Sequence, residues 1–309
     1  MSQAFAWFAF NAAVVVLLFF DLFFFHKKAH KVGIKEALLQ SAFWIGLALA
    51  FNAGVYFFRG GDAALKFLTG YLIEESLSVD NLFVFLVIFN YFQVPEEFRH
   101  RVLFWGILGA LIMRAFFILT GVALIHRFHW IIYLFGAFLV FTGYKLIFGQ
   151  EREVKPEKNP ALKLFRRFMP VSKHYHGQKF FARENGVLLA TPLMVVLLIV
   201  ETTDVVFAID SIPAVLSISH DPFIVYTSNI FAILGLRALF FALSGLMGLF
   251  RYLNYGLGFI LAFVGVKMMV SEIFKIPIAA ALGVIAGVLA ISIMLSLSIP
   301  KKNGTEGHS

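Results

Sequence analysis

The sequence predicts an all-α polytopic membrane protein of about nine transmembrane helices, with an inverted repeat of two three-helix units at its centre. Three observations carry that fold class. Of 309 residues, 60% are hydrophobic and only 14% charged, against roughly 25% charged in soluble domains. Apolar windows of about 20 residues, the length a bilayer demands, recur along the whole chain. The chain also matches itself at charged positions. Together these exclude a soluble enzyme, a disordered chain and a fibrous protein. The absence of cysteine excludes a disulfide framework, thiolate metal sites and iron–sulfur chemistry.

Taken in order, the spans fall at about 5–25, 39–58, 67–92, 102–124, 130–149, 186–218, 223–250, 253–271 and 277–299. The first lacks a basic leading segment and a small-residue cleavage site, so it reads as a retained helix. Residues 1–66 hold two peripheral helices, 67–149 the first three-helix unit and 186–271 the second. Residues 150–185 form a basic cytoplasmic loop, and 272–309 the last helix with a disordered tail. That loop carries Pro156, Pro160, Pro170 and the amphipathic run Lys163 to Phe168, which suits contact with anionic lipid rather than nucleic acid.

Lysine and arginine set the expected orientation. With the N-terminus outside and the C-terminus inside, 18 of the 26 basic residues fall in inner segments and four in outer ones. This is a strong positive-inside bias.

The internal match pairs Glu74 and Asp80-Asn81 with Asp204 and Asp210-Ser211, Arg114 with Arg237, and Phe141 to Lys145 with Phe263 to Lys267. Each copy contains three spans, an odd number. Tandem copies therefore cross the membrane in opposite senses, as in inverted-topology transporters.

Five carboxylates lie well inside spans: Glu74, Asp80, Glu201, Asp204 and Asp210. A lone charge at mid-bilayer costs about 2.5–3.5 kcal/mol on insertion scales. Five facing lipid would cost roughly 12–17 kcal/mol on that basis, so they must face inward and be compensated. Helical spacing puts Glu74, Ser78 and Asn81 on one face, and Glu201, Asp204 and Ser211 on the matching one. Asp80 and Asp210 lie about 100° away on an unbroken helix, and Pro213 offers a cause for an unwound turn beside Asp210. Arg114 and Arg237 are possible charge partners. Glu75 carries less weight. Asn52, Thr120, Thr142 and Asn229 read as interhelical hydrogen bonders, and Lys145 and Lys267 as snorkelling residues.

The donor set is all oxygen. Histidines fall only at span ends and in loops. Such a site suits manganese, magnesium or calcium and disfavours zinc and copper. Its acids exceed the charge of one divalent ion, so exchange of metal for protons follows as an expectation. The expected partners are therefore a divalent cation, protons and the bilayer, with no organic cofactor and no nucleic acid. No enzymatic role is expected. Intramembrane aspartyl proteases pair Tyr-Asp with Gly-x-Gly-Asp, and neither motif precedes these acids.

Three long segments then resemble the TerC family. They are Gly70-Tyr-Leu-Ile-Glu-Glu-Ser-Leu-Ser-Val-Asp-Asn81, Glu201-Thr-Thr-Asp-Val-Val-Phe-Ala-Ile-Asp-Ser-Ile-Pro-Ala214, and the run from Asp221 to Arg237. Within the family the resemblance points to the Alx branch, bacterial inner-membrane proteins tied to alkaline pH and manganese export. It implies export of Mn2+ as the transported ion, with Glu74, Asp80, Glu201, Asp204 and Asp210 as metal residues. The alternative expectation is a metal- or pH-sensing membrane protein, or a proton pathway, that does not itself carry metal.

Overall fold

The structure is a computed structural model. It describes residues 3–20, 33–128, 130–148, 160–184, 186–244, 252–271, 273–274 and 276–298. Ten helices and one β-hairpin account for nearly all of them. In chain order these are α1 (Gln3–Phe20), α2 (Ile34–Arg59), α3 (Gly61–Tyr91), α4 (Glu96–Arg127), α5 (Ile131–Phe148), α6 (Pro160–Phe168), β1 (Phe181–Glu184), β2 (Val187–Ala190), α7 (Pro192–Leu216), α8 (Pro222–Ser244), α9 (Leu253–Met269) and α10 (Ile278–Ser298).

Each expected span overlaps a helix within the described residues, α6 being the short amphipathic piece of the loop. Among the described residues α2, α4, α5, α7, α8 and α10 are long and apolar enough to cross a membrane. The other three fall short for separate reasons. α3 is 31 residues long but carries Asp62, Lys66, Glu74, Glu75 and Asp80. The apolar stretches of α1 and α9 are shorter than 18 residues. The tail after Ser298 lies outside the described residues.

Two boundaries differ from the sequence reading. The sixth span does not begin at 186. Val187–Ala190 pairs antiparallel with Phe181–Glu184, and the helix starts only at Pro192, a residue suited to a first helical turn. An apolar run of four residues cannot by itself distinguish a strand from a helix start. Nor does α7 unwind at Pro213. The helix continues to Leu216, and the Ser217 amide donates to the Pro213 carbonyl at 3.0 Å. Proline removes only the donor to the Ile209 carbonyl, and the turn holds without it.

The packing is pairwise. α3 lies along α8, α4 along α7 and α5 along α9. Gly70 faces Ser228 and Phe89 meets Phe240 edge to face, so α3 and α8 run in the same direction. Gly106, Gly109 and Gly121 face Val200, Glu201 and Leu216, so α4 and α7 do too. The four-residue turn between α3 and α4 reverses the chain, which makes α3 and α7 antiparallel. α5 and α9 are also antiparallel: a Cβ on Gly136 would lie 2.8 Å from the Gly265 carbonyl oxygen, and one on Gly143 would lie 2.4 Å from that of Gly258. Exchanging α3 with α7, α4 with α8 and α5 with α9 leaves this set of pairings unchanged. α8 is enclosed along almost its whole length, so its polar residues Thr227, Ser228 and Asn229 are fully buried.

Segments assigned by charge to one side of the membrane meet in space. Arg59, at the end of α2, pairs with Asp221 before α8 at 3.0 Å. The single residue between α2 and α3 is Gly60, whose φ of 89° is left-handed and favours glycine. At the opposite end the hydroxyl of Tyr175 donates to the Phe92 carbonyl at 2.8 Å, tying the loop after α6 to the end of α3. Burial pushes the Tyr175 phenol up to about 12. Within that loop the Ser172 hydroxyl and His176 each lie 2.7 Å from one Glu184 oxygen, and hold that exposed carboxyl below its ordinary range.

Candidate metal site

The site is set by a helical hairpin. Glu74 lies twenty residues before Val94 and Arg114 twenty residues after it, so the α3–α4 turn brings them level. The Arg114 Nη1 contacts the Glu74 Oε1 directly and donates to the Asn229 Oδ1 of α8 at 2.6 Å. Arg114 is 1% exposed and Glu74 is fully buried. A buried ion pair of this kind persists only with added hydrogen bonds, and Asn229 supplies one.

α7 closes the other side. Asp204 is buried and lies within electrostatic reach of both Arg114 and Glu74. Glu201, one turn earlier, lies within reach of Asp204. It packs against Gly109 of α4, where an added Cβ would sit 2.1 Å from its carboxylate oxygens. The glycine therefore makes the space that Glu201 occupies. Ser78, Asn81 and Ser211, placed by spacing on the same faces, are all buried. Asp204 and Arg237 line a cavity of about 10 Å3 with Gly106, Ile107, Ala110 and Val200, room for about one water molecule.

Several buried polar atoms here have no hydrogen-bond partner among the described residues. They include Glu74 Oε2, Asp204 Oδ2, Ser211 Oγ, Asn229 Nδ2 and Arg114 Nε. Buried polar groups are nearly always satisfied, so this concentration is unusual. Three of these atoms are oxygens, the donor type a hard cation takes. No three acidic or histidine side chains among the described residues are close enough to hold a metal as they stand. A guanidinium occupies the centre instead.

The structure thus brings Glu74, Glu201, Asp204 and Arg114 to one region, with Arg237 at its edge. Asp80 and Asp210 lie on α3 and α7, each six residues and about 9 Å along the axis from Glu74 or Asp204, and their side chains lie outside the described residues. Asn229 bridges helices, as its sequence position suggested, and its partner is the site arginine. Its place within the segment Asp221 to Arg237 is the one sequence signal that marks it. Lys267 does not snorkel. It is buried, and its Nζ donates to the Ser217 carbonyl at 3.1 Å, where a cation favours the C-terminal end of α7.

Comparison with known proteins supplies the lineage. Residues 59–304 match the model of the integral membrane protein TerC family. A membrane protein of Myxococcus xanthus, STKORF319, is 53% identical over 94% of this chain and 91% of its own length. The Alx proteins of Salmonella typhi and Escherichia coli K12, named as membrane-bound redox modulators, are 45% and 44% identical over 94% of this chain and 93% of theirs. No solved structure matches the chain. A buried acidic and arginine-bearing core between paired helices, in a chain matched over most of its length, makes this protein a member of the TerC family of integral membrane proteins.

Proposed function

We propose that the protein is a secondary transporter that exports a divalent metal cation, Mn2+ foremost, in exchange for protons. The observation that carries this reading is the approach of two unpartnered buried carboxylate oxygens, from Glu74 on α3 and Asp204 on α7, within electrostatic reach of each other. The pairing pattern, which survives exchange of α3–α5 with α7–α9, supports an inverted repeat with its site at the repeat interface. Asp80 and Asp210 complete the proposed acidic set with Glu201. The carrier sits in the bacterial inner membrane with its N-terminus outside and its C-terminus in the cytoplasm, on the strength of the lysine and arginine bias.

The redox role in the names of the Alx relatives finds no thiol here, because the chain has no cysteine. The carboxylates offer a cation site and a proton exchange site in one place, so loading by metal releases protons. The protein acts as a carrier and not as an enzyme.

Metal-resolved uptake into inverted membrane vesicles, with and without a pH gradient, tests the reading. Manganese uptake that rises when the vesicle interior is acid is expected. It should be lost in Asp204→Asn, Asp80→Ala and Asp210→Ala proteins present at normal abundance. Flux indifferent to all three substitutions, or to the gradient, refutes coupled carriage. Metal binding without any flux favours the sensor reading.

A further inference from the structure

The guanidinium at the centre of the acidic site is held in an unusual manner. A single nitrogen, Nη1, serves both the Glu74 carboxylate and the Asn229 carbonyl oxygen. Arginine meets a carboxylate most strongly through two parallel N–H bonds, and a pair kept for stability alone is expected to use them. Here Nε of Arg114, Oε2 of Glu74 and Nδ2 of Asn229 all remain without partners among the described residues. The contact neutralises charge without saturating either group. It also uses one oxygen of a site whose other oxygens are free to accept a cation.

We propose that Arg114 is a tethered substitute for the transported ion. Its guanidinium compensates Glu74 when the carrier carries no cargo, and it is displaced when the cation enters. This deepens the transport reading and rests on it. A divalent ion brings twice the charge of the guanidinium to the same carboxylates, and hard oxygen donors suit it. Once the ion leaves, Arg114 returns to Glu74 while the exchanged protons occupy the remaining acids, and the protein can reorient without an uncompensated carboxylate at its centre, which the membrane interior strongly disfavours. The competition has two consequences. Arg114 weakens apparent metal affinity, and it enables the metal-free, proton-carrying return step.

The test uses the full chain in phosphatidylethanolamine–phosphatidylglycerol vesicles with radioactive Mn2+. Net uptake requires the metal-free, proton-carrying return step, whereas exchange of internal for external Mn2+ does not. In Arg114→Gln the KM for Mn2+ is expected to fall about threefold or more. Exchange should persist within about twofold of the wild type, and net uptake should drop about tenfold. Arg114→Lys keeps the charge but loses the planar fork, so it restores part of the net uptake while lowering KM. A purely structural arginine would not split the two fluxes. Exchange and net uptake that fall together with KM unchanged, in protein eluting like the wild type, overturn the proposal. So do variants in which nothing changes. If Arg114→Gln does not fold, Arg114→Lys decides: a lowered KM with net uptake retained supports the proposal, and an unchanged KM overturns it. Wild-type protein that moves no Mn2+ overturns the transport reading itself and this inference with it. Wild-type flux insensitive to Arg114 overturns this inference alone.

Discussion

Glu74 and Arg114 form a buried ion pair, and the cost of separating them is asymmetric. Removing one partner of a buried pair leaves the other charged and unpaired, which costs about 3–5 kcal/mol. Glu74→Gln is therefore expected to lower stability in detergent by that order, and Glu75→Gln by clearly less. Thermal or denaturant unfolding of the purified proteins compares them, and equal losses would contradict the pairing. Gly109 offers a complementary probe. A methyl group there meets the Glu201 carboxylate at 2.1 Å, and that carboxylate is the mobile end of a flexible side chain. Gly109→Ala should change the unfolding temperature little yet reduce manganese flux several-fold, because Glu201 must move aside. The acids were legible in the sequence because charge inside an apolar window is costly and so stands out. Asn229 and Gly109 were not, because an amide or a glycine costs little in such a window. Only the neighbour across the helix pair gives either one its role.

At the scale of helices, α5 and α9 pack backbone against backbone at four glycines. Gly136 and Gly143 are two turns apart, as are Gly258 and Gly265, and the backbones close to where a Cβ would meet a carbonyl oxygen. Small residues at such spacing let membrane helices approach closely. Gly143→Ala and Gly265→Ala should each destabilise the protein, by about 1–3 kcal/mol for overpacking against backbone, and to a similar extent. Unfolding in detergent checks both, and a marked inequality would count against the equivalence of the two helices. The sequence offset that aligns Phe141–Lys145 with Phe263–Lys267 already paired Gly143 with Gly265, so this relation was readable from residues alone. The fate of Lys267 and Pro213 was not. Whether a lysine near a span end reaches water or caps a neighbouring helix depends on which helix end lies beside it. Whether proline opens a turn depends on what surrounds the turn. The β-hairpin at 181–190 escaped notice because its second strand is as apolar as the helix that follows.

At the scale of the whole molecule, the described contacts join segments assigned to the same membrane side, with Arg59 and Asp221 at one end and Tyr175 and Phe92 at the other. The Tyr175 latch carries a pH expectation. Folding raises its phenol from the ordinary 10 to about 12, so its stabilisation is fully present below pH 10 and is lost as pH rises through about 12. The latch therefore survives mildly alkaline conditions. Tyr175→Phe removes a hydrogen bond worth about 1 kcal/mol and should speed limited proteolysis within residues 170–180; an unchanged cleavage rate would show that the bond does not secure the loop. The glycine seam reaches further. Gly136 meets Gly265 while Gly143 meets Gly258, so α5 and α9 offer each other the same glycine spacing read in opposite directions. Two separate copies of one such helix would reproduce this fit only by crossing the bilayer in opposite senses, an arrangement that a single chain fixes by its connections.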